Sequence, residues 1–264
     1  MKVQIPDPTP ISGHTPKKYN VLVYGRSGTG KTEFCATWPK PLLFIDTDKG
    51  ITTVVSSPRV QEKDQIFLVD VQDRSSDVVV KQPIGFATVE TVLKSLATEN
   101  SYSGVVPQTV VLDSFTTTSA LTMSRTLYLH GHVGQQPTLP DYGRLVRDLL
   151  DIITTGIGLR CNFIATAHEQ YTKDELSGRI WCGPLIVGRL AAEISLYFDE
   201  VYHANVRERG GKHEYMLDTK ASGLITAKSR LDLPSPIIAH FDSIKGTIER
   251  LNSTRKEVSH DIDK

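Results

Sequence analysis

The chain has 264 residues, a length that suits one large α/β domain or two small ones. Hydrophobic residues make up 39% and charged residues 23%, an ordinary balance for a soluble globular protein. With 30 basic and 30 acidic residues the formal net charge is zero, so any contact with nucleic acid has to come from a local basic surface. No apolar run approaches membrane-spanning length, and the N-terminus lacks the apolar core of a signal peptide. Cys35, Cys161 and Cys182 are odd in number and widely spaced, which suits a reducing cytoplasm better than a disulfide framework.

Residues 1–18 carry prolines at 6, 8, 10 and 16 and read as an extended arm, with Ile5 and Ile11 its apolar anchors. A core is expected over residues 19–245. Its strands are predicted at Asn20–Tyr24, Leu42–Asp46, Ile66–Val71, Thr109–Asp113 and Asn162–Ala167, nearly all apolar, as in a parallel sheet covered on both faces. Helices are predicted at Gly30–Thr37, Phe86–Ala97, Asp141–Thr155 and Pro184–Ser195. In the third, Leu145, Leu149 and Ile152 recur at helical spacing behind a possible cap at Asp141. From Tyr197 the pattern turns to short strands: Tyr197–Val206 and Glu214–Thr219 flank Arg209-Gly210-Gly211, a hairpin signal. The polar tail, residues 246–264, reads as a short helix or frayed end.

The strongest motif is Gly25-Arg26-Ser27-Gly28-Thr29-Gly30-Lys31-Thr32, a complete phosphate-binding loop between the first strand and first helix, with Glu33 the next helical residue. Its glycines let backbone N–H groups turn inward around the phosphates of a nucleoside triphosphate. Lys31 then reaches the β- and γ-phosphates, and the Thr32 hydroxyl ligates magnesium. A strand that ends in a carboxylate beside such a loop completes a metal site, and Val110-Val111-Leu112-Asp113 supplies Asp113. Hydrolysis also needs an acid to orient or deprotonate water. The residue after Asp113 is Ser114, so the acid comes from Phe44-Ile45-Asp46-Thr47-Asp48, with Asp48 preferred and Asp46 the other choice. His130 and His132 invite a zinc reading, but nothing nearby completes a ligand set of the usual spacing, and that reading is rejected.

In their order along the chain, the P-loop, Phe44–Asp48, Val110–Ser114, the phrase Tyr197-Phe198-Asp199-Glu200-Val201 and Ala227-Lys228-Ser229-Arg230 resemble the small phage-encoded, core-only RecA-like ATPases of the Sak-type single-strand annealing group. The resemblance spans residues 17 to 235. It implies an α/β fold: a RecA-like P-loop NTPase core with a mostly parallel central sheet flanked by helices and a C-terminal antiparallel hairpin. It implies that Asp48 activates water, although the family usually carries glutamate there. His168, ending the strand Phe163–Ala167, would sense the γ-phosphate, and Lys228 and Arg230 would reach a neighbouring subunit's nucleotide. Two stretches would face DNA. One follows Asp113 and includes residues 130–136; the other follows His168 and contains Tyr171, Lys173, Arg179 and Trp181.

The expected activity is hydrolysis of ATP to ADP and phosphate with Mg2+, stimulated by DNA, in annealing or strand exchange during phage recombination. Expected partners are single-stranded DNA, further copies of the chain in a ring or filament linked by the N-terminal arm, and a single-strand binding protein, in the cytoplasm of a bacterial host and without a membrane. Two alternatives stand: a P-loop kinase acting on a small metabolite, and a hexameric helicase or helicase-loader motor.

Overall fold

Apolar runs of five or six residues form the centre of the molecule, and their alternation explains how it is layered. In β1 (Asn20–Tyr24), Leu22 and Tyr24 point to one face of the sheet while Val21 and Val23 point to the other. The computed structural model describes residues 18–73, 83–173, 175, 178–188 and 190–251. The chain continues through α1 (Lys31–Ala36), β2 (Leu42–Asp46), α2 (Ile51–Ser56), β3 (Ile66–Asp70), α3 (Gly85–Glu99), β4 (Thr109–Asp113), α4 (Phe115–Leu129), α5 (Leu139–Gly158) and β5 (Asn162–Ala167). Then come the hairpin β6 (Glu169–Lys173) and β7 (Ile180–Pro184), the short α6 (Leu190–Glu193), β8 (Glu200–Arg209), β9 (Lys212–Asp218), β10 (Lys228–Ser229) and β11 (Ile237–Ile238). Residues 242–251 are helical. The expected arm lies outside the described residues except for Lys18, as does the tail beyond residue 251.

The main sheet has the order β11-β9-β8-β1-β5-β4-β2-β3. From β3 to β8 all neighbours are parallel, while β9, β10 and β11 join antiparallel. This is the α/β, mostly parallel architecture with an antiparallel C-terminal extension. One face packs Val89, Leu93 and Leu96 of α3 and Leu145, Leu149 and Ile153 of α5. The opposite face packs Phe34 and Trp38, with Leu233 and Ile244 from the C-terminal segment. Gly210 and Gly211 both have positive φ, 58° and 73°, which suits the tight turn joining β8 to β9. No helix among the described residues is long and apolar enough to cross a membrane.

Three expectations need correction. β3 is apolar but lies at the sheet edge with Phe67 and Leu68 exposed, so burial on both faces does not hold there. The helix expected over Pro184–Ser195 reduces to α6 and a 3-10 turn at Ile194–Leu196. Its first residues are held by tertiary bonds instead, with Leu185 N–H donating to the His168 carbonyl at 2.7 Å, and Gly188 takes a left-handed conformation. Third, the stretch after Asp113 is helical as far as Leu129, and its loop is confined to residues 130–138. Its threonines disguise it, because β-branched residues disfavour helices on propensity. Here Thr118, Thr122 and Thr126 donate their hydroxyls to carbonyls one turn back at 2.7–2.9 Å, so a polar face can be buried. Ser114 caps the helix by accepting from Thr117 N–H at 3.2 Å.

α5 rests directly on β5. A Cβ built on Gly156 would overlap the ring of Phe163, which itself stacks on Phe198 at 6.3 Å. Gly156→Ala should therefore lower stability by about 1–3 kcal/mol, read as a reduced urea midpoint at unchanged slope.

Candidate functional site: a nucleotide pocket at the sheet edge

The P-loop leaves the C-terminal end of β1 and enters α1. Gly25 must lack a side chain because a Cβ there would overlap the Ala204 carbonyl oxygen of β8. Gly30 is left-handed at φ 78°, and its Cβ would sit 2.9 Å from the ring of Tyr215. Lys31 arches back over the loop, donating to the carbonyls of Gly25 at 2.9 Å and Arg26 at 2.7 Å. Burial lowers its pKa, against the opposing pull of Asp113 and Asp48. The loop lines a cavity of about 500 Å³ closed by Asp48, Gly50, Thr53, Asp113, His168 and Tyr215.

Asp113 lies at the floor of this cavity, at the end of β4. Thr32 Oγ1 donates to one of its oxygens at 2.7 Å, and the hydroxyl of Thr166, from β5, donates to the other. Burial raises its pKa, the two hydroxyls oppose that shift, and the charges of Asp48 and Asp46 add to it. A hydroxyl and a carboxylate side by side, with a second carboxylate close by, make a hard oxygen donor set that fits Mg2+. The structure thus brings Lys31, Thr32, Asp48, Asp113 and His168 around one space.

The two acids after β2 have different surroundings. Asp46 accepts from the backbone N–H groups of Asp48, Gly50 and Ile51 at 3.0–3.2 Å, which shapes the turn into α2. Asp48 faces the cavity. One of its oxygens accepts from the Thr117 hydroxyl, and the other lies 3.2 Å from His168 Nε2. His168 is also tied by its backbone, accepting from Leu185 N–H and donating to Thr116 Oγ1 at 2.9 Å.

Two residues of the P-loop region, Arg26 and the cavity-lining Glu33, hold ion pairs of their own. Glu33 pairs with Arg59 at 2.5 Å, and that guanidinium lies 5.4 Å from the Tyr215 ring centre. Arg26 turns away from the cavity to Glu169 at 2.8 Å and lies 5.9 Å from the ring centre of Tyr171. Beyond Glu169 the network runs inward to His203, 2.9 Å away through Nε2, whose Nδ1 meets Asp218 at 3.3 Å.

The segment after His168 forms the hairpin β6–β7 and not an open loop. Tyr171, Lys173 and Arg179 are exposed on it, whereas Trp181 is half-buried, its ring packed over Gly183. His130 and His132 lie just past α4, in the non-helical segment 130–138 that leads to α5. Both imidazoles meet the carboxylate of Asp141, a partner that spacing along the sequence did not reveal. Lys228 and Arg230 lie away from the cavity: β10 pairs with Val201 and Glu200, at the end of β8 opposite the P-loop. There Lys228 donates to the Ser195 carbonyl at 2.6 Å and Arg230 pairs with Asp199 at 2.5 Å.

Sequence reasoning missed Thr166 and Tyr215. The polar residue inside the apolar run of β5 was a usable signal for the first. Nothing local marked the second, because the β8–β9 register alone carries it to the pocket.

A protein-family model described as an AAA domain (AAA_24) matches residues 17–231. The chain belongs to this family. Together with the topology above, membership makes it a P-loop ATPase of RecA-like fold, and the family implies use of a nucleotide, usually with Mg2+. A search of curated proteins finds no match to this AAA-domain chain. Solved structures similar to it include the flagellar accessory protein FlaH of Methanocaldococcus jannaschii, at 12% identity and a TM-score of 0.40, covering 80% of this chain and 82% of that one. A KaiC-like protein of Pyrococcus horikoshii gives 15% identity and 0.41, covering 76% and 77%. An ATPase from the type III secretion system of pathogenic bacteria gives 11% and 0.45, covering 71% and 52%.

The His203 network gives the AAA domain a pH dependence. Burial alone would lower the His203 pKa, but Asp218 and Glu169 outweigh it and raise the value above the ordinary 6.5. A raised pKa stabilises the fold fully below the unfolded value and loses that contribution as pH rises through the folded one. The stability advantage of wild type over His203→Gln, measured by urea unfolding, should therefore be full below the ordinary histidine value and shrink as pH rises past the raised one.

Proposed function

We propose that the chain is a Mg-ATP-dependent, single-strand-DNA-binding ATPase that assembles with its own copies and promotes annealing or strand exchange in phage recombination. One observation carries this reading: the hairpin β6–β7 begins at the residue after His168, and His168 meets Asp48 across the cavity. A change at the terminal phosphate has a short covalent path to an exposed surface bearing Tyr171, Lys173 and Arg179. Aromatic and cationic side chains of that kind hold single strands by stacking and backbone charge.

In this mechanism the P-loop amides and Lys31 bind the polyphosphate, and Thr32 with Asp113 would hold Mg2+. The ion, when bound, neutralises charge on the β- and γ-oxygens. Asp48 accepts a proton from the attacking water as the bond between the γ-phosphorus and its bridging oxygen breaks, and Thr117 and His168 fix the orientation of that carboxylate. Tyr215 forms the wall beside Gly30. Arg230, whose side chain is 62% exposed and distant from its own pocket, acts on the nucleotide of an adjacent copy, with Lys228 beside it.

ATP turnover with Mg2+ should rise about tenfold on adding single-stranded DNA. Lys31→Ala should remove about 10²–10³-fold of either rate. Phosphate transfer to a small metabolite, without a response to DNA, would replace this reading with the kinase. Arg230→Ala should lose turnover but keep nucleotide affinity. Mixing it with Lys31→Ala protein should recover activity, since the one supplies an intact P-loop and the other an intact arginine. Full turnover by Arg230→Ala alone removes the role across the interface.

A further inference from the structure

We propose that His130, His132 and Asp141 form a binding site for one zinc-class divalent cation at the α4–α5 junction. The three donor atoms, an Nδ1 from each imidazole and a carboxylate oxygen, lie within 4.8 Å of one another. His130 Nδ1 is 2.5 Å from Asp141 Oδ1, and His132 Nδ1 is 3.2 Å from the same oxygen and 2.9 Å from Oδ2.

The end of one helix and the start of the next put these groups together. At the end of α4, Gly131 is left-handed at φ 71° and donates to the Tyr128 carbonyl at 3.2 Å, while His132 N–H donates to that of Leu127 at 2.8 Å. This is a Schellman closure, and it fixes the residues on either side of Gly131, which are the two histidines. At the start of α5, Asp141 is the third helical residue of a capping box. Thr138 N–H and the Thr138 hydroxyl both donate to Oδ2 at 2.7 Å. That leaves Oδ1 to His130, while His132 spans both oxygens and lies nearer to Oδ2. A carboxylate held from behind by a hydroxyl and an amide is how ligating carboxylates are oriented in metal sites.

Capping alone accounts for Asp141 and Thr138; it does not require two imidazoles to converge through the same nitrogen on one enclosed carboxylate. That side chain is fully buried, whereas the histidine side chains are 35% and 31% exposed, so a cation has access from the solvent side. Two imidazoles and one carboxylate suit zinc, with water at the remaining position, better than magnesium or calcium. A second cluster, Glu169, Cys182 and His203, lacks this readiness. Both nitrogens of His203 are already engaged by carboxylates, and Glu169 is paired with Arg26.

The test uses the full chain after chelator treatment, titrated with Zn2+ alone by calorimetry and with Co2+ alone by visible absorption. The expected result is one ion per chain and the absorption of a four- or five-coordinate cobalt site. His130→Ala and His132→Ala should each weaken binding by about 100-fold while α5 and its capping box stay intact by circular dichroism. Asp113→Asn, which alters only the nucleotide pocket, should bind as wild type does. The proposal is overturned if no ion binds, or if folded His130→Ala and His132→Ala proteins bind as tightly as wild type.

Discussion

The site depends on one buried carboxylate. Asp113 ends a buried strand at the floor of the cavity, with Asp48 and Asp46 near enough to resist its ionisation. Two hydroxyls, from Thr32 on one side and Thr166 on the other, compensate in part. Such a group is unfavourable to the fold and useful to the site, since a divalent ion placed beside Thr32 relieves the repulsion the protein has built in. Several features of the sheet follow from that arrangement. β5 lies between β1 and β4, so its Thr166 can reach Asp113, and the residues beyond its end emerge beside the P-loop.

The acids near Asp113 divide the work by their surroundings. Asp46 binds three backbone amides and shapes the chain; Asp48, two residues on, is held only by side chains and stays open to the cavity. A second division separates the P-loop's inner and outer faces. Lys31 and Thr32 point in. Arg26 points out to Glu169, so the loop that would hold the phosphates is tied to the same hairpin that follows His168. Nucleotide pocket and exposed hairpin thus share two links, one through Asp48 and His168 and one through Arg26 and Glu169.

The sequence made the central sheet legible because parallel strands covered on both faces are uniform apolar runs, and β1, β2, β4 and β5 were bounded to the residue. The P-loop and Asp113 were legible because their chemistry is tied to fixed spacing. Propensity failed at α4, where threonines satisfy themselves by bonding back along the helix, and at Pro184–Ser195, where tertiary pairing overrode a helical pattern. Spacing failed for His130 and His132, whose partner Asp141 is brought to them by two helix ends meeting. Tyr215 escaped because its position depends on which residues of two antiparallel strands stand opposite one another.

The β8–β9 ribbon overshoots its neighbour. β1 pairs with β8 only as far as His203, yet β8 runs on to Arg209, and Tyr215 stands opposite Val206 beyond the last residue that β1 reaches. One wall of the cavity therefore extends past the parallel strands, held by β9, by the Ala239 N–H bond to the Tyr215 carbonyl and by packing of Tyr215 against the core. The width of the pocket beside the P-loop is thereby set by how far this ribbon extends past the parallel strands, and not by those strands themselves.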